Sequence, residues 1–245
     1  MTRLARAAAL LTGTVLAAGC SDALTNPTGE ALEEQVTLDA LTYAGTATVD
    51  DIQLMLSEGA LLGGPAGIEG QHDFSVSRSI TFYDENGDEM DQFDPLLTAS
   101  VHIVSSVSGT RSRSSDRGSI EVTVNRDRDV TISGLLGEET ERQWDGTGSA
   151  SENRVLTTDA NGTREYDMSE SVTIDAVVIP VPRGNGYPLS GTITRTLTLT
   201  RSNGEETFTR ERTVSVTFNG TRYVTITING EAFTLDLETR EIVEG

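Results

Sequence analysis

Between residues 189 and 202 the chain alternates, with Ile193, Leu197 and Leu199 on one parity and Thr194, Thr196, Thr198 and Thr200 on the other. A period of two marks a strand that buries one row of side chains and wets the other. The same rhythm runs from Phe74 nearly to the C-terminus. It predicts strands over 73–83, 97–107, 118–125, 129–134, 139–149, 151–159, 164–179, 189–202, 205–218, 221–228 and 231–237. Threonine suits the wet row because its β-branched side chain fits a pleated surface and its hydroxyl tolerates water. Asn-Gly pairs at 86–87, 161–162, 185–186, 203–204, 219–220 and 229–230 punctuate these runs. A type I′ hairpin turn needs positive φ at both central residues, which Asn-Gly supplies. The expected fold is all-β: an antiparallel meander of about ten or eleven strands in an open or curled sheet, a partial barrel or a sandwich. A short N-terminal helix accompanies it.

The turns set registers that can be checked. A two-residue loop at Asn203-Gly204 places Leu199 opposite Phe208, Ile193 opposite Val214, Arg195 opposite Arg212 and Leu197 opposite Arg210. At Asn229-Gly230 the same loop sets Ile226 against Phe233 and Val224 against Leu235. At Asn219-Gly220 it fails, since Val214 and Val216 would meet Thr225 and Tyr223. A three-residue bulged loop puts those valines back on the face of Val224 and Ile226.

Ahead of the strands the pattern changes. Residues 20–35 are small, polar and acidic and read as a flexible tether. Within 36–72, Thr48 followed by Asp51 resembles a capping box opening VDDIQLMLSEG, with Gly59 as a stop. LLGGPAGIEG then reads as loop, and 73–245 as the β domain.

The first 19 residues carry Arg3 and Arg6, then a short apolar run, and end beside Cys20, the only cysteine in the chain. Charge, length and order are those of an export signal, and the apolar run is too short to span a bilayer. The stretch LAAGC resembles the lipobox of bacterial lipoproteins, although Ala17 stands where Leu is commonest. That resemblance implies cleavage before Cys20, a diacylglycerol thioether on its sulfur and an acyl chain on its new amine. It also implies outer-membrane sorting, because Ser21 follows the cysteine and Asp22 comes one residue too late for an inner-membrane retention signal. With its leader and Thr-dominated strands the chain resembles the β-rich, functionally uncharacterised lipoproteins of GC-rich bacteria.

Charge narrows the partners. The net charge is −20, and all 18 basic residues are arginine. The absence of lysine fits a GC-rich genome, or adaptation to high salt. Loss of the leader leaves 16 arginines against 38 acids, a net −22. Nucleic acid is excluded, because its phosphates need a basic footprint. No polybasic run holds an anionic membrane, so the body should stand off the bilayer on its lipid tether. The membrane is then reached through the anchor alone.

Candidate chemistry is sparse. Charges interrupt the apolar rows at Glu170, Arg195, Arg210 and Arg212. These predict either an arginine-lined anion or carboxylate pocket, or a mutually satisfied Glu170–Arg195–Arg212 network, and the second is the commoner arrangement for buried charge. His72 and His102, with Asp73 or Asp94, fit no zinc spacing. Asp84, Asn86 and Asp88 alternate as in a calcium loop, but Glu89 replaces its glycine and Pro95 its bidentate Glu. They leave a weak calcium candidate on a hairpin tip, and no cofactor is expected. Asn161 and Asn219 head glycosylation sequons that read better as turns. There is no GxSxG motif. Trp144 could stack a sugar beside paired carboxylates, but a lone tryptophan is more often partly buried core or a strand-edge cover. The expectation is therefore a lipid-anchored envelope β-domain with a non-enzymatic binding or structural role, holding an apolar ligand or a partner protein. The alternatives are a hydrolase of envelope glycans or other polymers, and a surface adhesion module.

Overall fold

A computed structural model describes residues 29–56, 74–115, 118–158, 162–181, 186–202 and 207–243. Helix α1 spans Gly29–Leu56. The strands are β1 Phe74–Tyr83, β2 Glu89–Met90, β3 Ser100–Ser115, β4 Gly118–Ser133, β5 Glu141–Thr158 and β6 Gly162–Pro180. Then follow β7 Ser190–Ser202, β8 Thr207–Thr217, β9 Tyr223–Ile228, β10 Glu231–Asp236 and β11 Ile242–Val243. They form one open antiparallel sheet in the order β11-β10-β9-β8-β7-β6-β5-β4-β3-β1-β2. Each strand pairs with its neighbour in the chain apart from β2, which folds back on β1 and leaves β3 to pair with β1 as well. Both edge strands are two residues long, so among the described residues 74–81 of β1 and 207–212 of β8 are paired with a strand on one side only.

Several strands run longer than the alternation predicts. Residues 118–133 form one strand, because the charged stretch Arg126-Asp127-Arg128-Asp129 is itself an alternation. Its arginines share the row of Val130 and Ile132, and its aspartates fall on the opposite row. Likewise 141–158 is continuous, and β3 runs on to Ser115.

The predicted faces hold, while two loops are longer than expected. Asn229 and Gly230 have φ of 49° and 88°, and Ile226 meets Phe233 as the two-residue turn requires. Around Asn203, however, Ser202 pairs with Thr207, so four residues connect the strands and Leu199 lies opposite Arg210 instead of Phe208. Ile193 meets Val216, and Arg195 meets Val214 rather than Arg212. A slip of two residues preserves parity, so every side chain keeps its face. At Asn219, Thr217 pairs with Thr225 and Val216 with Ile226, which makes the loop longer than three residues. Its Asn219 Oδ1 accepts from the Thr221 amide at 3.1 Å, a side-chain-stabilised turn.

In β6 the inner row changes parity. Met168, Glu170, Val172 and Ile174 are buried, and then Val177 and Ile179 instead of Ala176. A register shift between Asp175 and Val178 produces the switch, with Ala176 at φ 48°. The Asp145 carboxylate accepts from the Ala176 amide at 2.8 Å and holds this bulge. Gly191 lies against it at φ 99°, where an added Cβ would sit 2.3 Å from the Ala176 carbonyl. Glycine is required there.

One face of the sheet is apolar and α1 packs on it, joined with it in a single core. The other face is hydroxylated: Thr110–Thr123, Thr200–Thr209 and Thr194–Ser215 meet across strands at 3.0, 3.0 and 3.1 Å. The helix begins at Gly29, inside the stretch expected to be tether, and passes straight through Thr48. The Thr48/Asp51 spacing therefore starts no helix. Three residues apart is also the spacing that puts two side chains on one helix face, and the structure uses it in that sense.

Candidate functional site

The buried stripe of α1 carries Ala40, Ala44, Thr48, Asp51, Ile52 and Met55, at helical spacing. Thr48 and Asp51 are its polar members, and both reach Arg195 in the middle of β7. Arg195 is fully buried. Its Nε donates to Thr48 Oγ1 at 3.3 Å, and its two terminal nitrogens pair with Asp51 and Glu170. Glu170 on β6 also accepts from the Tyr43 hydroxyl at 3.0 Å. Arg128 on β4 approaches Asp51 at 3.7 Å. One guanidinium thus clamps the helix to the centre of the sheet through two carboxylates.

The electrostatics are those of a closed cluster. Burial alone would favour a neutral Arg195, but the charges of Asp51 and Glu170 outweigh it and hold the side chain more firmly protonated than a free arginine. Burial, followed by the Glu170 charge, pushes the Tyr43 hydroxyl well above its ordinary value, so it stays a donor. Guanidinium, carboxylates and phenol neutralise or bond one another, which is the arrangement buried charge requires.

Of the sequence candidates, Glu170 and Arg195 come together, while Arg210 and Arg212 stay outside. They stay on the same face but are displaced along it, because the longer 203–206 connection moves Arg212 opposite Leu197 and Arg210 opposite Leu199. Both are half-buried. Arg210 lies over the Phe208 ring at 4.7 Å, and Arg212 donates to the Glu211 carbonyl at 2.9 Å. Asp51, Tyr43 and Arg128 complete the cluster; of the three the sequence pattern marks Asp51 alone, and as part of a helix start with Thr48 rather than as a site residue.

The remaining candidates are local structure. Asp84 accepts from the amides of Asn86 and Asp88 at 2.8 and 2.9 Å, and the Asp88 amide leads in holding its carboxyl below the usual range. The carboxylate that would lead a calcium site therefore fastens its own turn. His102 Nε2 lies 2.6 Å from Asp129 Oδ1 on the hydroxylated face, and His72 and Cys20 lie outside the described residues. Among the described residues no three His, Cys, Asp or Glu side chains converge as metal ligands. Trp144 is buried in the core at 3 % exposure, and its Nε1 has no partner among the described residues, so the ring is not offered to a sugar.

A second feature concerns where the arginines lie. Arg78 in β1, Arg111 and Arg113 in β3, and Arg126 and Arg128 in β4 occupy inner-row positions, on the helix side. So do Arg142 and Arg154 in β5, Arg195 and Arg201 in β7, and Arg210 and Arg212 in β8. The outer row carries Asp127, Asp129, Asp167, Asp175 and Glu211 instead. A shallow hollow of about 270 Å³ on that outer side includes Asn125, Ser151, Asn153 and Asp167. Asn153 Nδ2 donates there to Glu165 and Asp167 at 2.9 and 2.7 Å.

No family model matches the chain, and no curated protein or solved structure is similar to it. Among the described residues no helix is long and apolar enough to cross a membrane.

Proposed function

We propose that the protein is a cell-envelope lipoprotein, tethered to the outer membrane through acyl chains on Cys20, whose β domain binds or supports and does not catalyse. LAAGC supports the tether, and two or more acyl chains hold a protein stably in a bilayer where one holds it marginally. The observation that carries the non-enzymatic role is the Arg195 cluster. The buried acids of the inner face, Asp51 and Glu170, are joined to a single guanidinium. A general acid or base needs a carboxyl free to exchange its proton beside substrate, and these are tied across the seam between helix and sheet. The partners in this reading are the membrane, through the anchor, and a protein or apolar ligand, with no nucleic acid.

Mass spectrometry of the mature N-terminal peptide tests the tether. The expected product begins at Cys20 and carries the mass of a diacylglycerol thioether with an acylated amine. An unmodified thiol at Cys20, or an intact leader, refutes it.

A further inference from the structure

The inner face continues past the helix-covered core along the far ends of β3, β4 and β5. There Arg111 and Arg113 of β3 pair with Val122 and Ile120 of β4, which in turn pair with Arg154 and Leu156 of β5. The three arginines are exposed, Ile120 is 36 % exposed, and Val122 and Leu156 are half-buried. Glu152 already pairs with Arg154. Beyond it, the inner rows of these three strands hold no other acid.

We propose that this patch docks the far end of the sheet onto the surface of a bilayer rich in anionic lipid. Guanidinium heads bind phosphate, and their stems lie along aliphatic neighbours such as Ile120, Val122 and Leu156. Basic heads set among partly exposed aliphatic side chains match the headgroup boundary of a membrane. The chain as a whole is strongly acidic, but its strand acids lie largely on the opposite face. One orientation is therefore attracted to the surface that the net charge repels. This deepens the envelope reading, which brings the domain to a bilayer, and gives the tethered body a preferred face. It replaces the expectation that the body stands off.

The test uses the full chain as Cys20→Ser, with Ile120→Cys as its one cysteine, labelled with an environment-sensitive dye. Vesicles of equal phosphatidylglycerol and phosphatidylcholine are compared with phosphatidylcholine alone, alongside flotation of the unlabelled chain. The dye should shift to the blue on anionic vesicles only, and the shift should fade as salt rises. Arg111→Glu with Arg113→Glu should lower partitioning at least about thirtyfold, with an unchanged circular dichroism spectrum. The leader is common to both chains, so the difference belongs to the arginines. No shift on anionic vesicles, an equal shift on both kinds, or an undiminished shift in the double variant overturns the proposal. So does a shift without vesicles that tracks self-association by light scattering, because a second copy is then the occupant. The state of Cys20 in the native protein is measured separately, so a failed tether and a failed docking face are told apart.

Discussion

Replacing Arg195 with Met removes the guanidinium that Asp51 and Glu170 share while keeping most of its volume. The Arg195 side chain is 1 % exposed, that of Glu170 is fully buried and that of Asp51 is 9 % exposed. Removing one partner of a buried ion pair costs about 3–5 kcal/mol, chiefly because the charge left behind has neither water nor counterion. Here Glu170 keeps the Tyr43 hydroxyl and Asp51 keeps Arg128 at 3.7 Å. The loss should therefore fall near the lower end, about 3 kcal/mol. That is a large share of the roughly 5–15 kcal/mol that holds a domain folded. Urea unfolding followed by Trp144 fluorescence and circular dichroism measures it. Glu170→Gln keeps the shape and a hydrogen bond and should lose less, about 1.5–3 kcal/mol. Combining Asp51→Asn, Glu170→Gln and Arg195→Met should regain much of the loss, since no charge then remains unpaired. A loss below about 1 kcal/mol, or singles that add without coupling, would refute the clamp.

Three further outcomes follow from individual sites. Asp236 is held by two 2.6 Å hydrogen bonds from Arg222, which lead in lowering its carboxyl to about 2. A depressed folded value gives stability that is present above the unfolded value of about 3.9 and lost as pH falls through about 2. Asp236→Asn should therefore destabilise at pH 7 and be nearly silent at pH 2, and equal losses at both would contradict it. Gly146 of β5 has no room for a methyl group, since a Cβ there would lie 2.3 Å from the Asp129 carbonyl. Gly146→Ala should cost about 1–3 kcal/mol by overpacking, read as a lowered urea midpoint, and a neutral result would mean the β4–β5 approach is looser than described. Trp144→Phe removes a buried N–H that has no partner among the described residues. It should cost less than about 1.5 kcal/mol, because no hydrogen bond is lost with the ring. A larger loss in thermal unfolding would show that the indole nitrogen is engaged.

Legibility of the sequence was uneven for identifiable reasons. Parity survived every error of loop length, because the 203–206 connection moved the register by two and left Thr198 and Leu199 on their faces. Strand continuity was harder to see. The gap expected between 125 and 129 closes because the two signs of Arg126 to Asp129 separate onto opposite faces. Most of the clamp stayed hidden. Asp51 and Arg195 lie 144 residues apart, and an i, i+3 pair of polar side chains reads equally well as a helix start or as a buried stripe.

The sequence by itself determined what depends on neighbours along the chain: alternating strands, a one-faced sheet and the Asn229-Gly230 turn. Only the tertiary structure decided what depends on neighbours across the fold. It chose the partners of Arg195, carried α1 back to Gly29, and gathered the strand arginines on one face while acids took much of the other. Net charge is a sum and has no direction. Pairing the strands gives it one, because every second residue on every strand then shares a side.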